Sequence, residues 1–279
     1  MIALFDSGLG GLTVVREMFR QLPGYDTIYF GDTARLPYGS KSPEVIRRFA
    51  VQNTDFLLSK GATAIVIACN TVSALATDVV RERAKGIPVF EVVTPAVTKA
   101  ASVTEGRVGI IGTRGTVASG VYTAKMAEVA PKVKVFGQAA PLFVPLVEEG
   151  WARKPEAATI AKEYLRPLRL RRIDTLILGC THYPFLKSCI AKAAPGVRLV
   201  DPAHETVAAL GEYLETHPKF RDGLSKKSKH SFFVSDANPH SDKIASRWLG
   251  RDIILNKVIL NVHDDHHFRS RPVAARVRA

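Results

Sequence analysis

Short runs of apolar residues alternate along this chain with longer stretches in which apolar residues recur at helical spacing. Apolar runs at 2–5, 27–30 and 62–68 are each followed by a polar turn and then by helix-compatible sequence, such as 12–19 and 43–58. Strands that alternate with helices are typical of parallel sheets, because each helix returns the chain to the start of the next strand. The pattern therefore predicts an α/β fold.

The same pattern begins again near residue 107. Apolar runs at 107–112, 133–137, 175–179 and 196–201 alternate with helical stretches, and the turn at 113–119 parallels the turn after the first strand. This recurrence predicts two similar doubly wound, flavodoxin-like domains that face each other across a central cleft.

The domain limits follow from where the pattern restarts and where it returns. We assign residues 1–94 and 206–262 to a discontinuous first domain, and residues 95–205 to the second. The run at 230–235 is expected to be a late strand at a sheet edge. Periodicity is lost after that domain, and residues 263–279 are expected to form a mobile basic tail.

Two turns carry a cysteine directly after an apolar run. Cys69 follows the run at 64–67 in an Ala-Cys-Asn-Thr turn, and Cys180 follows the run at 176–178 in a Gly-Cys-Thr-His turn. Ligands of doubly wound folds bind outside the carboxyl ends of the strands, so both thiols are expected at one cleft. A thiolate is a competent base, and two thiols on opposite faces of a planar carbanion could racemise a carbon centre without a metal or a redox change.

Polar neighbours of the cysteines suit this chemistry. His182 could accept the proton of Cys180 or modulate its thiolate, although a histidine considered alone is as readily a structural one. Asp6 could act in the same way on Cys69, or bind a substrate ammonium group. Three further side chains offer donors to carboxylate oxygens, namely Asn70, Thr71 and Thr181.

Two loops qualify as anion-binding elements. The turn at 6–11 resembles a dinucleotide fingerprint only loosely, because Thr13 occupies the position of the third glycine. The alternative is that the helix amides after this turn, together with Asp6, hold a small zwitterion. In the loop at 37–40, the backbone N–H groups that follow Pro37 could form an anion nest.

Composition bounds the class of protein. The chain has 279 residues, of which 46% are hydrophobic and 23% charged, as is usual for a globular protein of one large or two medium domains. No apolar run approaches the ~18 residues that span a bilayer, and the N-terminus has no features of a signal peptide, so we expect a cytoplasmic protein.

The number of cysteines and the net charge further limit the classes of protein to which the chain can belong. Three cysteines argue against a disulfide framework, and the third, Cys189, lies in a helical pattern typical of a small buried hydrophobe. The net charge of +13 is spread over runs at 166–172, 226–229 and 269–278 that carry no interleaved aromatic residues. A solvated basic surface is therefore favoured over nucleic-acid binding.

Six segments together carry a resemblance to a known family. They are 6–11, 31–33, 37–40, 68–71, 141–148 and 179–184. In this order they resemble the motifs of glutamate racemases, within the cofactor-independent aspartate/glutamate racemase superfamily, and the resemblance extends to about residue 256. The chain differs at Ala140, where many relatives have a further cysteine, and its tail has no counterpart in the family.

The resemblance implies that Cys69 is the base for D-glutamate and Cys180 the base for L-glutamate. Asp6 and His182 would assist them, and Asp32 and Glu148 would be secondary polar groups. The residues implied to line the glutamate site are Asp6, Ser7, Tyr38, Gly39, Asn70, Thr71, Thr113, Thr116, Thr181 and His182.

The resemblance also implies an enzyme that supplies D-glutamate for peptidoglycan synthesis, forms a homodimer and uses neither cofactor nor metal. An aspartate racemase of the same superfamily is the nearest alternative, although Thr181, His182 and the loop at 37–40 resemble the glutamate branch more. The alternative from another class is a basic nucleic-acid-associated protein built on the same scaffold.

Overall fold

Parallel pairing joins the strands into two separate sheets in the computed structural model, which describes residues 1–237 and 239–260. The strands are β1 (Ile2–Asp6), β2 (Thr27–Gly31), β3 (Ala64–Ile67), β4 (Val89–Glu91), β5 (Arg107–Gly112), β6 (Lys134–Ala139), β7 (Thr175–Gly179), β8 (Arg198–Val200), β9 (His230–Val234) and β10 (Leu255–Lys257). The predicted parallel α/β fold with two sheets is confirmed.

The first sheet has the order β10-β9-β2-β1-β3-β4, and the second has the order β6-β5-β7-β8. We call each sheet with its helices a lobe. The expectation that the run at 230–235 forms an edge strand is wrong, because β9 pairs with β2 on one side and with β10 on the other. The outermost strand, β10, has three residues and is too short to leave a periodic pattern in the sequence.

Helices connect the strands and cover the sheets. They are α1 (Leu12–Gln21), α2 (Pro43–Ser59), α3 (Asn70–Leu75), α4 (Thr77–Ala84), α5 (Val93–Val103), α6 (Arg114–Ala118), α7 (Val121–Val129), α8 (Phe143–Glu148), α9 (Pro155–Leu170), α10 (Lys187–Ala193), α11 (Pro202–Thr216), α12 (Pro218–Asp222) and α13 (Pro239–Leu249). As predicted, α2 begins after an N-cap serine, Ser42, with Pro43 in its first turn. Within the described ranges, no helix is both long and apolar enough to cross a membrane.

The central strands are buried along their whole length. Every residue of β1, β2, β3 and β7 is buried, as expected of parallel strands covered by helices on both faces. Helix α11, which follows the second sheet, packs on α1 of the first lobe and on α5. The domain limits at 94/95 and 205/206 stay a prediction, and the predicted tail at 263–279 lies outside the described residues.

Candidate active site

Both cysteine turns open into one cavity between the lobes. Cys69 follows β3 and Cys180 follows β7, each at the carboxyl end of an inner strand. The cavity encloses about 40 Å³ and is lined by Ser7, Leu36, Pro37, Tyr38, Gly39, Cys69, Asn70, Thr71, Thr113, Val144, Cys180, Thr181 and His182. Three apolar members, Leu36, Pro37 and Val144, were not predicted from the sequence.

Four of the predicted site residues lie behind the cavity lining rather than in it. These are Asp6, Asp32, Thr116 and Glu148. Thr116 and Glu148 contact lining side chains directly, Asp32 accepts a hydrogen bond from the Tyr38 hydroxyl, and Asp6 acts electrostatically on Cys69. The structure therefore brings together all of the predicted residues, but in two layers.

Asp6 is fully buried at the end of β1. Its Oδ2 atom accepts hydrogen bonds from the N–H groups of Gly8, over 3.2 Å, and Gly11, over 2.9 Å, while Oδ1 has no partner among the described residues. Burial raises the pKa of Asp6, against the opposing effects of His182 and of these amides. The amides of Gly8 and Gly11 are thus engaged by Asp6, which leaves less of the turn for a ligand than the sequence suggested.

Cys69 is held as a neutral thiol. Its side chain is 5% exposed, and burial, with the nearby Asp6, raises its pKa to about 12. Cys69 therefore carries a proton that it can donate in this arrangement of the site.

Cys180 has a different partner. Its Sγ atom lies 3.8 Å from Nδ1 of His182, and the other ring nitrogen, Nε2, lies 3.0 Å from Oε1 of Glu148. Burial disfavours the charged imidazole, but Cys180 and Glu148 outweigh it and raise the pKa of His182 to about 10. The two thiols of the cavity therefore have different neighbours: Cys180 lies beside a basic imidazole, whereas Cys69 lies near Asp6, which favours the protonated thiol of Cys69.

The Glu148 contact predicts a shift in pH dependence. In Glu148→Gln the imidazolium of His182 loses a charged acceptor, so the pKa of His182 falls and the alkaline limit of kcat/KM for glutamate moves to lower pH. Such bonds contribute about 1.5–3 kcal/mol, and Glu148 is one-third exposed, so we expect a shift of about one pH unit. Because the two enantiomers have equal free energies, kcat/KM moves equally in both directions.

Glu149→Gln is the matched control, since Glu149 is the exposed neighbour of Glu148 in the sequence. Its pH profile, measured from pH 6 to 11, should match that of the unchanged protein. An unchanged alkaline limit in Glu148→Gln contradicts the assignment of Glu148 as the partner that holds His182 charged.

Three threonine hydroxyls meet across the two lobes at the cavity. Thr71 Oγ1, from α3, lies 2.9 Å from Thr113 Oγ1 and 3.3 Å from Thr116 Oγ1, and the last two lie 3.0 Å apart. Each hydroxyl can donate one hydrogen bond and accept two, so the cluster can redirect donors toward a carboxylate.

The loop that carries Tyr38 is anchored by Asp32, which is completely buried. Asp32 accepts hydrogen bonds from the Tyr38 hydroxyl, from Arg35 Nε over 2.6 Å and from Ser235 Oγ over 2.8 Å. Asp32 thus positions one wall of the cavity from behind, as a structural rather than a lining residue.

Gly10 explains why the first turn is rich in glycine. A Cβ atom at this position would lie 2.3 Å from Thr181 Oγ1 and 2.6 Å from two atoms of the His182 ring. The turn therefore packs directly against the second lobe. Close packing between the lobes accounts for a glycine at this position without a dinucleotide site.

Two further side chains complete the surroundings of the site. Trp248 of α13 contacts the His182 ring edge to face, with centroids 5.6 Å apart. It was missed in the sequence, because nothing in a helix 66 residues downstream indicates that it packs on His182.

Cys189 is buried outside the cavity and donates to the Leu186 carbonyl over 3.1 Å, in agreement with its predicted structural character. Across the described ranges, no cluster of His, Cys, Asp or Glu side chains is suited to a metal ion.

Comparison with known proteins places this fold and site in a family. A family model described as Asp/Glu/Hydantoin racemase matches residues 6–210. The chain is 45% identical over 251 residues to the glutamate racemase of Geobacter metallireducens, covering 89% of this chain and 92% of the relative. The chain belongs to the Asp/Glu/hydantoin racemase family.

Solved structures of glutamate racemases are similar to this chain over most of its length. The crystal structure of glutamate racemase from Francisella tularensis in complex with D-glutamate has a TM-score of 0.88 and 38% identity, covering 94% of this chain and 98% of that one. Glutamate racemase from Thermus thermophilus in complex with beta-chloro-D-alanine has a TM-score of 0.82 and 40% identity, covering 93% and 96%.

Proposed function

We propose that this protein is a glutamate racemase, which interconverts L- and D-glutamate by proton transfer between two thiols. The observation that carries the proposal is the pair of buried cysteines, Cys69 and Cys180, that line one cavity from different lobes, with the His182 ring 3.8 Å from the Cys180 sulfur. The likeness to glutamate racemases over most of the chain supports glutamate as the substrate.

Proton transfer between the two thiols follows from their placement in one cavity. The Cys180 thiolate removes the Cα proton of L-glutamate, and the electron pair of the broken C–H bond moves into the neighbouring carboxylate. The Cys69 thiol then gives its proton to the opposite face of Cα. The products are D-glutamate, a Cys180 thiol and a Cys69 thiolate, and the reverse reaction begins from that state.

Neighbouring groups act differently on the two thiols. His182, held positive by Glu148, places a positive charge next to the Cys180 sulfur, whereas Asp6 lies in the same lobe as Cys69 and favours the protonated thiol that Cys69 contributes when L-glutamate is the substrate. The remaining polar lining residues supply the donors for the two substrate carboxylates. Tyr38 and Gly39 do so through backbone N–H groups, since the Tyr38 hydroxyl donates to Asp32, and the side-chain donors are Ser7, Asn70, Thr71, Thr113 and Thr181, with Thr116 behind them.

Glutamate racemisation can be tested by following the loss of circular dichroism of each enantiomer in a buffer that contains a chelator and no pyridoxal phosphate. We expect both L- and D-glutamate to lose their signal, and L- and D-aspartate, measured alongside, to react far more slowly. Preference for aspartate would contradict the substrate, and a requirement for an added cofactor would contradict the two-thiol chemistry.

The biological setting completes the proposal. We expect a cytoplasmic enzyme that supplies D-glutamate for peptidoglycan synthesis and acts as a homodimer, as the resemblance of the sequence motifs implies. Its sedimentation behaviour tests the dimer. The alternative of nucleic-acid binding rests on the +13 charge alone, and a titration with DNA or RNA at ~0.15 M salt tests it.

A further inference from the structure

The side chain of Asn70 is held by a residue of the opposite lobe. Asn70 begins α3 and lines the cavity from the first lobe, whereas Tyr122 lies in α7 of the second lobe. The Tyr122 hydroxyl donates to Asn70 Oδ1 over 2.7 Å, and each residue is only 3% exposed. A hydrogen bond between buried side chains fixes the orientation of both, since water offers neither of them an alternative partner.

The direction of this bond is set by the tyrosine. Burial, together with Glu91 and Cys180, raises the pKa of Tyr122 well above its ordinary value, so the phenol keeps its proton and needs an acceptor. The amide of Asn70 has one acceptor atom, Oδ1, and one donor atom, Nδ2. With Oδ1 engaged by Tyr122, the N–H bonds of Nδ2 are left for the cavity.

We infer that Tyr122 is a positioning residue, which selects the orientation of Asn70 in which Nδ2 donates to a carboxylate oxygen of the substrate. The inference rests on the proposed function, because the substrate carboxylate is part of it. In the flipped orientation Asn70 would present Oδ1, whose lone pairs repel a carboxylate. The contact joins the two lobes, so the orientation of Asn70 in the first lobe depends on a residue of the second lobe.

Tyr122→Phe tests the inference, because it removes the hydroxyl and keeps the ring. Loss of a buried hydrogen bond that orients a binding group costs about 1.4 kcal/mol, so we expect kcat/KM for glutamate to fall about tenfold. Most of that fall should be a rise in KM, because a carboxylate contact is made equally in the ground state and in the transition state.

A double-mutant cycle separates positioning from a general structural role. If Tyr122 acts through Asn70, then Tyr122→Phe causes no further loss of kcat/KM in the Asn70→Ala protein. The control is Tyr183→Phe, which removes another buried hydroxyl of the second lobe, one that donates to the Ala140 carbonyl over 2.8 Å. The factor by which Tyr183→Phe lowers kcat/KM should be the same in the Asn70→Ala protein as in the unchanged protein.

A second variant leaves Tyr122 untouched. In Asn70→Asp, one carboxylate oxygen still accepts from Tyr122 and the other faces the substrate carboxylate, so kcat/KM should fall further than in Asn70→Ala. Independent losses from Tyr122→Phe and Asn70→Ala, or an Asn70→Asp protein as active as Asn70→Ala, overturn the inference. Failure of the unchanged protein to racemise glutamate is a different result, because it contradicts the proposed function instead.

Discussion

Cys69→Ala and Cys180→Ala each lose racemisation of glutamate by a factor of at least about 10³ in kcat/KM, and both proteins stay folded. A positioned acid or base contributes about 10²–10⁴ to a rate, and each cysteine acts as base in one direction and as acid in the other. Each change therefore stops both directions equally. Circular dichroism of the two glutamate enantiomers measures the loss, and far-ultraviolet spectra verify the fold.

Hydrogen exchange at Cα distinguishes the two variants. In D₂O, Cys180→Ala keeps the base that faces D-glutamate, so D-glutamate gains deuterium with its configuration retained, while L-glutamate does not. Cys69→Ala should show the opposite preference. Mass spectrometry after separation of the enantiomers reports both outcomes.

Cys189→Ala is the control, because Cys189 is buried like the other two cysteines but lies outside the cavity. It should keep its racemase activity within about twofold, in line with small effects of changes far from a site. Near-normal turnover in either cavity variant, or the same exchange pattern in both, would exclude the two-base assignment.

Much of the site could be predicted because its residues follow directly from strands. Cys69 and Cys180 come immediately after buried apolar runs, and parallel strands bring their carboxyl ends to the same edge of a sheet. The short distance along the chain between each thiol and its strand end makes their position nearly independent of the rest of the fold. The hydrophobic pattern alone was thus sufficient to predict that both thiols lie at the carboxyl ends of parallel strands.

Contacts between the lobes could not be predicted in this way. Tyr122 binds Asn70 across 52 residues, and Trp248 contacts His182 across 66, through helices whose relative placement depends on packing of the whole molecule. Apolar periodicity indicates which face of a helix is buried, but not which polar group of another lobe meets it. Strand β10 was not predicted for a related reason, since three residues are too few to establish a period.

The layering of the site is the other feature that the sequence left open. Asp6 was expected among the lining groups, yet its carboxylate binds backbone amides instead, and Asp32, expected as a secondary polar group, binds Arg35 and Tyr38. A carboxylate at a strand end can face a ligand or the turn that follows, and local sequence favours neither. Only the glycine spacing after Asp6 indicates that its own turn folds back on it.

Gly10→Ala should reduce kcat for glutamate racemisation about 100-fold. Its new Cβ would lie 2.3 Å from Thr181 Oγ1 and 2.6 Å from His182 Nδ1, the atom that contacts Cys180. The backbone cannot yield easily, because the Thr13 hydroxyl shares its proton between the carbonyl of Gly10, at 2.9 Å, and the carbonyl of Thr181 in the other lobe, at 3.2 Å. Displacement of reacting groups by about 1 Å is enough for such a loss.

The change acts on one side of the site, which gives it a distinctive signature. Ser7, Asn70 and Cys69 belong to the first lobe and are not displaced by the new Cβ. Gly10→Ala should therefore still exchange the Cα hydrogen of D-glutamate in D₂O, and the rate of inversion to L-glutamate should fall by a larger factor than the rate of exchange. Overpacking also lowers the free energy of unfolding by about 1–3 kcal/mol, which is visible as a lower melting temperature.

Gly211→Ala is the matched control. Its Cβ would meet Leu22 at an ordinary 3.5 Å, so this change should leave kcat unchanged. If exchange and inversion fall by the same factor in Gly10→Ala, then Gly10 does not set the spacing between Cys180 and the substrate carbon, and the close approach of the lobes serves stability alone.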